Sequence, residues 1–301
     1  MARVKYRYPG ESRWKGWWYV LPALTVYLLF TFLPILETIR TSFYQWDGFS
    51  QQKTWIGFAN YLEIFSDPKF HNALRNNLVF VIFYSIIPIL IGLFLASLLS
   101  RRPIPGFAFF RTALFLPQVI SMVVVGVVWR WMFNPTSGPI NIALNWLGLR
   151  RFAISWLGDF TWALPAVGSI GTWVQSGFCM ILFLAGMQRI QEEYYEAASL
   201  DGANALKQFL HITVPGLRSE IAVALVTTII AALRVFDLVY TTTRGGPGES
   251  TMVTGFLIYR SAFMLNRIGY AAALATVLTL IILIISLLIR RYQRHGVEED
   301  A

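Results

Sequence analysis

One cysteine stands in 301 residues, and only 14% of the chain is charged. A lone thiol, Cys179, excludes an intramolecular disulfide and any C-x-x-C redox or metal pair. The three histidines, His71, His211 and His295, fall in separate segments, so no metal-ligand spacing such as H-E-x-x-H exists. G-x-x-x-x-G-K-[ST] and G-x-S-x-G are also missing, which removes a phosphate-cradling loop and a serine nucleophile elbow. The chain therefore carries no hydrolytic centre of its own, and energy-driven work would have to come from a partner.

What the sequence has instead is hydrocarbon. It is 56% hydrophobic, with a mean hydropathy of +0.55, which is the membrane class rather than the soluble one. Six windows stand out: Trp17 to Leu36, Leu78 to Leu99, Thr112 to Trp129, Phe160 to Gln188, Ile221 to Thr243 and Ile268 to Ile289. About 20 apolar residues at 1.5 Å per residue cross a core about 30 Å thick. The apolar character is continuous, whereas a helix lying on a surface would pair one basic face with one greasy face. The first window follows Arg13 and Lys15 but is too long for a signal-peptide core and has no small-x-small cleavage site, so it reads as an uncleaved helix. The expected fold is an all-α membrane protein of six transmembrane helices.

Lysine and arginine set the orientation. Arg3, Lys5, Arg7, Arg13 and Lys15 precede the first window; Arg101, Arg102 and Arg111 follow the second; Arg290, Arg291 and Arg294 follow the sixth. These segments share a side if there are six spans, so both termini are expected in the cytosol. Residues 1–16 form a cytosolic arm, 17–290 a single membrane domain and 291–301 a cytosolic tail. The net charge of +9 is thus a topology signal in a lipid bilayer, and no nucleic acid is expected, since that would need a basic face on a soluble domain. Short interfacial helices are expected near Asn60 to Phe65 and Ile140 to Leu147. Pro22, Pro34, Pro88, Pro117 and Pro165 each remove a backbone donor inside a window and are expected to kink it.

Residues 189–218 are different: polar, nearly charge-balanced and set between the fourth and fifth windows. Ile190, Tyr194, Ala197 and Leu200 recur at i, i+4, i+7 and i+10, the pattern of an amphipathic helix, with Glu192, Glu193 and Glu196 toward its start. Asp201-Gly202 breaks it. A second short helix over 203–211, capped by Asp201 or Asn204, then runs up to Pro215. The alanines allow close approach of another surface.

The stretch Glu196-Ala197-Ala198, three residues, Gly202, nine residues, Ile212, one residue, Val214-Pro215 resembles the E-A-A loop of the membrane subunits of binding-protein-dependent ABC importers. That loop is written E-A-A-x3-G-x9-I-x-L-P, and Val214 is the single departure. "WIGFANYLEIFSDPKFHNALRNNLVF" and "FDLVYTTTRGGPGESTMVTGFLIYRSAF" are similar to segments of carbohydrate-uptake permeases, the latter of the maltose-type and glycerol-3-phosphate-type first permease. The resemblance implies a second homologous permease, two cytosolic ATPase subunits that bind ATP and magnesium, and an extracytoplasmic solute-binding protein. It implies no cofactor on this chain, a bacterial or archaeal cytoplasmic membrane, and a sugar, oligosaccharide or sugar-like solute, including a sugar phosphate or glycerol phosphate. Glu196, Ala197, Ala198, Asp201, Gly202, Ile212 and Pro215 would then form the coupling helix seated on the ATPase. A permease for a non-carbohydrate solute and a stand-alone secondary transporter are the competing readings.

Along the pathway, Arg234 and Asp237 are expected three apart on one face of the fifth span, as a structural ion pair, a substrate-cavity pair, or with Arg234 bonded to a partner subunit. A charge at a bilayer centre costs about 3 kcal/mol on insertion scales, which argues against lipid exposure. Gln118, Trp173, Gln175 and Ser176 suit a sugar, through hydrogen bonds and an aromatic ring, and equally suit helix packing.

Overall fold

The computed structural model describes residues 15–100 and 106–298. The expected arm up to residue 14, Arg101, Arg102 and residues 299–301 lie outside the described residues. The elements run α1 (Trp17–Thr41), strands β1 (Tyr44–Gln45) and β2 (Thr54–Trp55), α2 (Ala59–Ser66) and α3 (Pro68–Ser100). Next come α4 (Phe107–Val119), α5 (Met122–Met132), α6 (Pro139–Trp146) and α7 (Ala163–Met187). The chain continues through α8 (Glu192–Leu200), α9 (Ala205–Gly216), α10 (Arg218–Leu233), α11 (Asp237–Thr242), α12 (Thr254–Tyr259) and α13 (Ile268–Glu298). The helices α2 and α6 fall where the sequence places interfacial helices.

Four helices, α1, α3, α7 and α13, are long and apolar enough to cross a membrane, and two bent pairs, α4 with α5 and α9 with α10, raise the number to as many as six. The third window, expected as one span, is two helices, α4 and α5, meeting at 101°. Ile120 and Ser121 between them take extended ψ values of 138° and 133°, and Pro117 has already withdrawn a donor from the last turn of α4. The fifth window, expected as one helix over 221–243, breaks after Leu233: Arg234 caps α10 and Asp237 opens α11. Arg234 and Asp237 therefore do not share a face of one continuous helix.

Pro34 and Pro88 lie inside unbroken helices, whereas Pro215 precedes a 69° bend between α9 and α10. π-helical turns at Leu28–Phe32, Ile82–Ile86 and Phe209–Thr213 end two residues before Pro34, Pro88 and Pro215. Each π turn closes with an i to i−5 bond, Leu33 N–H to Leu28 O, Ile87 N–H to Ile82 O and Val214 N–H to Phe209 O, which widens the helix just ahead of the proline. Pro215 consequently lies inside α9 rather than closing it. Pro165 sits in the first turn of α7, where no intrahelical bond is lost.

The core is built on α7, which is buried along most of its length. Small residues let its neighbours approach. A Cβ on Gly92 of α3 would meet Cys179 Cβ at 2.6 Å, and one on Gly177 would run into the Leu114 carbonyl of α4. Cys179 is wholly buried there, a packing residue.

At the opposite end from α8, the β1–β2 hairpin is pinned by Asn60, whose Nδ2 donates to Ser42 O at 2.8 Å and Tyr44 O at 3.1 Å. Asp47 Oδ1 accepts from the Ser50 and Phe49 amides and the Ser50 hydroxyl, and these bonds, Ser50's amide foremost, hold its carboxyl below the usual range. The stability this adds to the turn is present above the ordinary carboxylate pKa of about 3.9 and is lost as pH falls below it. Asp67 both caps α3, accepting from Lys69 N at 2.9 Å, and accepts the Tyr270 hydroxyl of α13 at 2.8 Å. Asp67→Ala is expected to cost about 1–2 kcal/mol, read as a lowered Tm in detergent, while Asp67→Asn keeps part of both bonds.

Candidate functional site

Two features stand out beyond packing: the α8–α9 hairpin and the broken fifth segment.

The hairpin is a single bonded unit. α8 ends in a Schellman motif: Ala203 N–H donates to Ala198 O at 2.8 Å and Gly202 N–H to Ser199 O at 3.1 Å, with Gly202 at φ +77°. Asn204, not Asp201, caps α9, accepting from Lys207 N at 2.9 Å. Side chains then tie the helices together, Gln208 Nε2 to Ser199 Oγ at 2.8 Å and Tyr195 Oη with Thr213 Oγ1 at 2.9 Å. Arg189 and Glu220 meet at 3.4 Å at the base.

The surface of this unit is apolar where a solvated loop would be charged. Leu200 is 90% exposed, and Tyr194, Leu206 and Leu210 are exposed as well. Glu196, Ala197, Asp201 and Gly202 are exposed, Ala198, Ile212 and Pro215 half-buried. A Cβ at Gly202 would meet nothing within 4 Å. The glycine is there for its positive φ, not to relieve crowding within the chain. Behind the hairpin a cavity of about 500 Å³ opens between Ser100, Phe107, Met187, Gln188, Tyr195 and Gln208.

The broken segment exposes Arg234 and Asp237, and no ion pair joins them among the described residues. On α7, Gln175 and Ser176 are buried, with Ser176 Oγ donating to Thr172 O at 2.6 Å. Trp173 faces outward and meets Trp129 of α5 edge-on at 5.5 Å. The Oε1 atoms of Gln118 and Gln175 are buried without a donor among the described residues. The structure thus brings Trp173 to an aromatic neighbour and leaves two amide oxygens unsatisfied, but does not pair the two charges.

Sequence reasoning missed two groups. Phe236, Tyr240, Tyr259 and Phe263 form an aromatic ledge beside the break, with Phe236–Tyr240 stacked at 5.4 Å and Tyr240–Tyr259 edge-on at 5.3 Å. Each half is an i, i+4 aromatic pair visible in the sequence; their convergence is not. Asn72, Asn76 and Asn77, in "HNALRNNLVF", cluster on α3 against residues 232–254. Three amides at i, i+4 and i+5 entering an apolar helix were the signal to look for.

The comparisons agree with this architecture. Residues 88–297 match the model of the family described as "Binding-protein-dependent transport system inner membrane component". A probable ABC transporter permease of Bacillus subtilis, YurN, is 40% identical over 93% of this chain and 96% of its own length. The trehalose/maltose transport system permease MalF of Thermococcus litoralis is 32% identical over 97% of this chain and 98% of its own. A bacterial alginate ABC transporter, solved in complex with an alginate pentasaccharide-bound periplasmic protein, superposes with a TM-score of 0.79 at 26% identity, covering 95% of this chain and 98% of the solved one. A mostly helical chain with several membrane-length helices, a bonded apolar hairpin and this similarity over nearly its whole length belongs to the inner-membrane components of binding-protein-dependent transport systems.

Proposed function

We propose that this chain forms half of the translocation pathway of an ATP-driven importer for a sugar, oligosaccharide or sugar-like solute. The other half is a second homologous permease, and of two ATPase subunits that bind ATP and magnesium, one seats against the α8–α9 hairpin. An extracytoplasmic solute-binding protein delivers the solute at the β1–β2 end. In this arrangement six segments span a bacterial or archaeal cytoplasmic membrane with both termini in the cytosol, α4–α5 forming one broken span and α10, which α9 meets at 69° and α11 follows past the break, the fifth. Relatives named for trehalose/maltose and a structural neighbour carrying alginate support a carbohydrate, as does the aromatic ledge, since ring faces stack on the apolar face of a pyranose.

The observation that carries the reading is the hairpin: internally bonded, so it moves as one body, yet presenting exposed Tyr194, Leu200, Leu206 and Leu210 to an absent partner. Glu196 and Leu200, at i and i+4, share a face, and the glycine turn sets the angle between the helices. When the ATPases close, the docked hairpin carries α7 and α10 with it. α1 supports the second permease, because its apolar surface from Trp17 to Phe30 is left almost bare by the rest of the chain.

Copurification tests this. The wild-type chain should bring its ATPase subunit through affinity purification, and Leu200→Glu with Leu206→Glu should lose most of it while retaining the second permease. Unchanged ATPase recovery would contradict the assignment of the hairpin.

A further inference from the structure

The break in the fifth segment has a keeper on another helix. At the end of α10 the Leu233 carbonyl lacks the next-turn amide that a continuous helix would supply and Ala232 O keeps a long 3.4 Å bond from Val235 N–H, and inside a membrane protein such carbonyls need donors. Asn77 of α3, with no exposed surface, supplies them: its Nδ2 donates to Ala232 O at 3.0 Å and Leu233 O at 3.2 Å. Its Oδ1 accepts the Thr254 amide at 2.9 Å, so the same side chain satisfies an orphan donor at the start of α12. One amide thus joins the end of one helix to the beginning of another, across the gap that holds Arg234 and Asp237.

The neighbours reinforce it. Asn76 Nδ2 donates to Ser250 O at 3.0 Å and Met252 O at 2.8 Å, and Asn72 Nδ2 to Glu249 O at 2.8 Å. Those bonds fix the connection between α11 and α12, whose Glu249 pairs with Arg260 at 2.6 Å. The approach is close: a Cβ on Gly255 would meet Val235 O at 2.9 Å. Because the donors and the acceptor of Asn77 are all in use and it is sealed from solvent, the break has one geometry rather than several.

We propose that Asn77 is a positioning residue of the translocation pathway: it holds the fifth segment broken so that Arg234 and Asp237 face the route of the solute. This rests on the pathway reading above. Asn77→Asp is the informative change, since it keeps the acceptor for Thr254 but turns the donor into an oxygen facing two carbonyls. Asn77→Ser, which can donate to only one carbonyl, serves if the aspartate variant does not assemble.

The test needs no knowledge of the solute. In a Cys179→Ala background, Asp237→Cys is placed in the full complex with its ATPases and labelled with a membrane-impermeant methanethiosulfonate, nucleotide-free and vanadate-trapped. Phe49→Cys, 81% exposed at the far hairpin, is the reference. With Asn77 intact, the labelling rate at residue 237 should change at least about fivefold between the two states, equivalent to about 1 kcal/mol. In the Asn77 variants that ratio should collapse toward one, with residue 49 unaffected. If the ratio persists in the variants, Asn77 does not position the break and the pathway reading stands. If it is already one with Asn77 intact, the break does not face the pathway, and both fall.

Discussion

Gly202→Asp should abolish most solute-stimulated ATP hydrolysis in reconstituted vesicles, by about tenfold or more, while the permease pair still assembles. The backbone cost is modest: a side chain in the left-handed region, here φ +77°, costs about 1 kcal/mol, and aspartate tolerates it better than most. The larger effect is outside the chain. Beyond its chain neighbours, no atom of the described residues lies within 4 Å of the added Cβ, so the new carboxylate projects into whatever covers the turn, and a charge buried at an interface without a partner is expensive. Glu196→Lys, which reverses a charge on the exposed face of α8, should act in the same direction. Gly202→Ala separates the two causes, because it carries the backbone strain without the charge and should retain most of the stimulation. Equal loss in the alanine and aspartate variants would place the effect in the turn and not in the contact.

The second large effect lies in the core. At Gly177 a Cβ would collide with the Leu114 carbonyl and approach Leu114 C at 2.9 Å and Phe115 Cα at 3.0 Å. The obstacle is backbone, which cannot rotate away, so α4 must move off α7. Overpacking of this kind typically costs about 1–3 kcal/mol, and because α4 leads into the bend before α5, the displacement should propagate. Gly177→Leu is expected to lower the Tm of the detergent-solubilised complex by several degrees and to reduce its yield, with Gly177→Ala showing a smaller drop in the same direction. A Tm unchanged in both would mean that the α4–α7 packing is not as tight as the geometry indicates.

Features with local causes were legible in the sequence, and features with distant causes were not. The helix α8, the positive-φ turn at Gly202, the cap at Asn204, one of the two residues the sequence offered, and the short helices α2 and α6 all depend on residues within a turn or two of one another. The bends depend on more. Hydropathy counts carbon and says nothing of which carbonyls are satisfied, so a window such as Ile221 to Thr243 looks continuous although Asn77, more than a hundred positions earlier, donates to the carbonyls at its break. Prolines misled in the other direction. A missing donor suggests a kink, yet Pro34 and Pro88 lie in unbroken helices, each just after a π turn. Of the pathway candidates, residue type pointed to Gln118 and Gln175, and their unsatisfied oxygens are a tertiary fact no spacing could supply. The aromatic ledge needed the fold to bring two i, i+4 pairs together.

The central claim is that the α8–α9 hairpin is the contact through which ATP hydrolysis reaches the membrane helices. Its most direct test is site-specific crosslinking in the Cys179→Ala background, with Leu200→Cys carrying a short thiol-reactive photocrosslinker in membranes that contain the complete transporter. The account predicts a crosslinked band containing the ATPase subunit, strong at Leu200 and absent from the reference position Phe49→Cys. A Leu200 position that reacts freely with a water-soluble maleimide and crosslinks to no ATPase would contradict it.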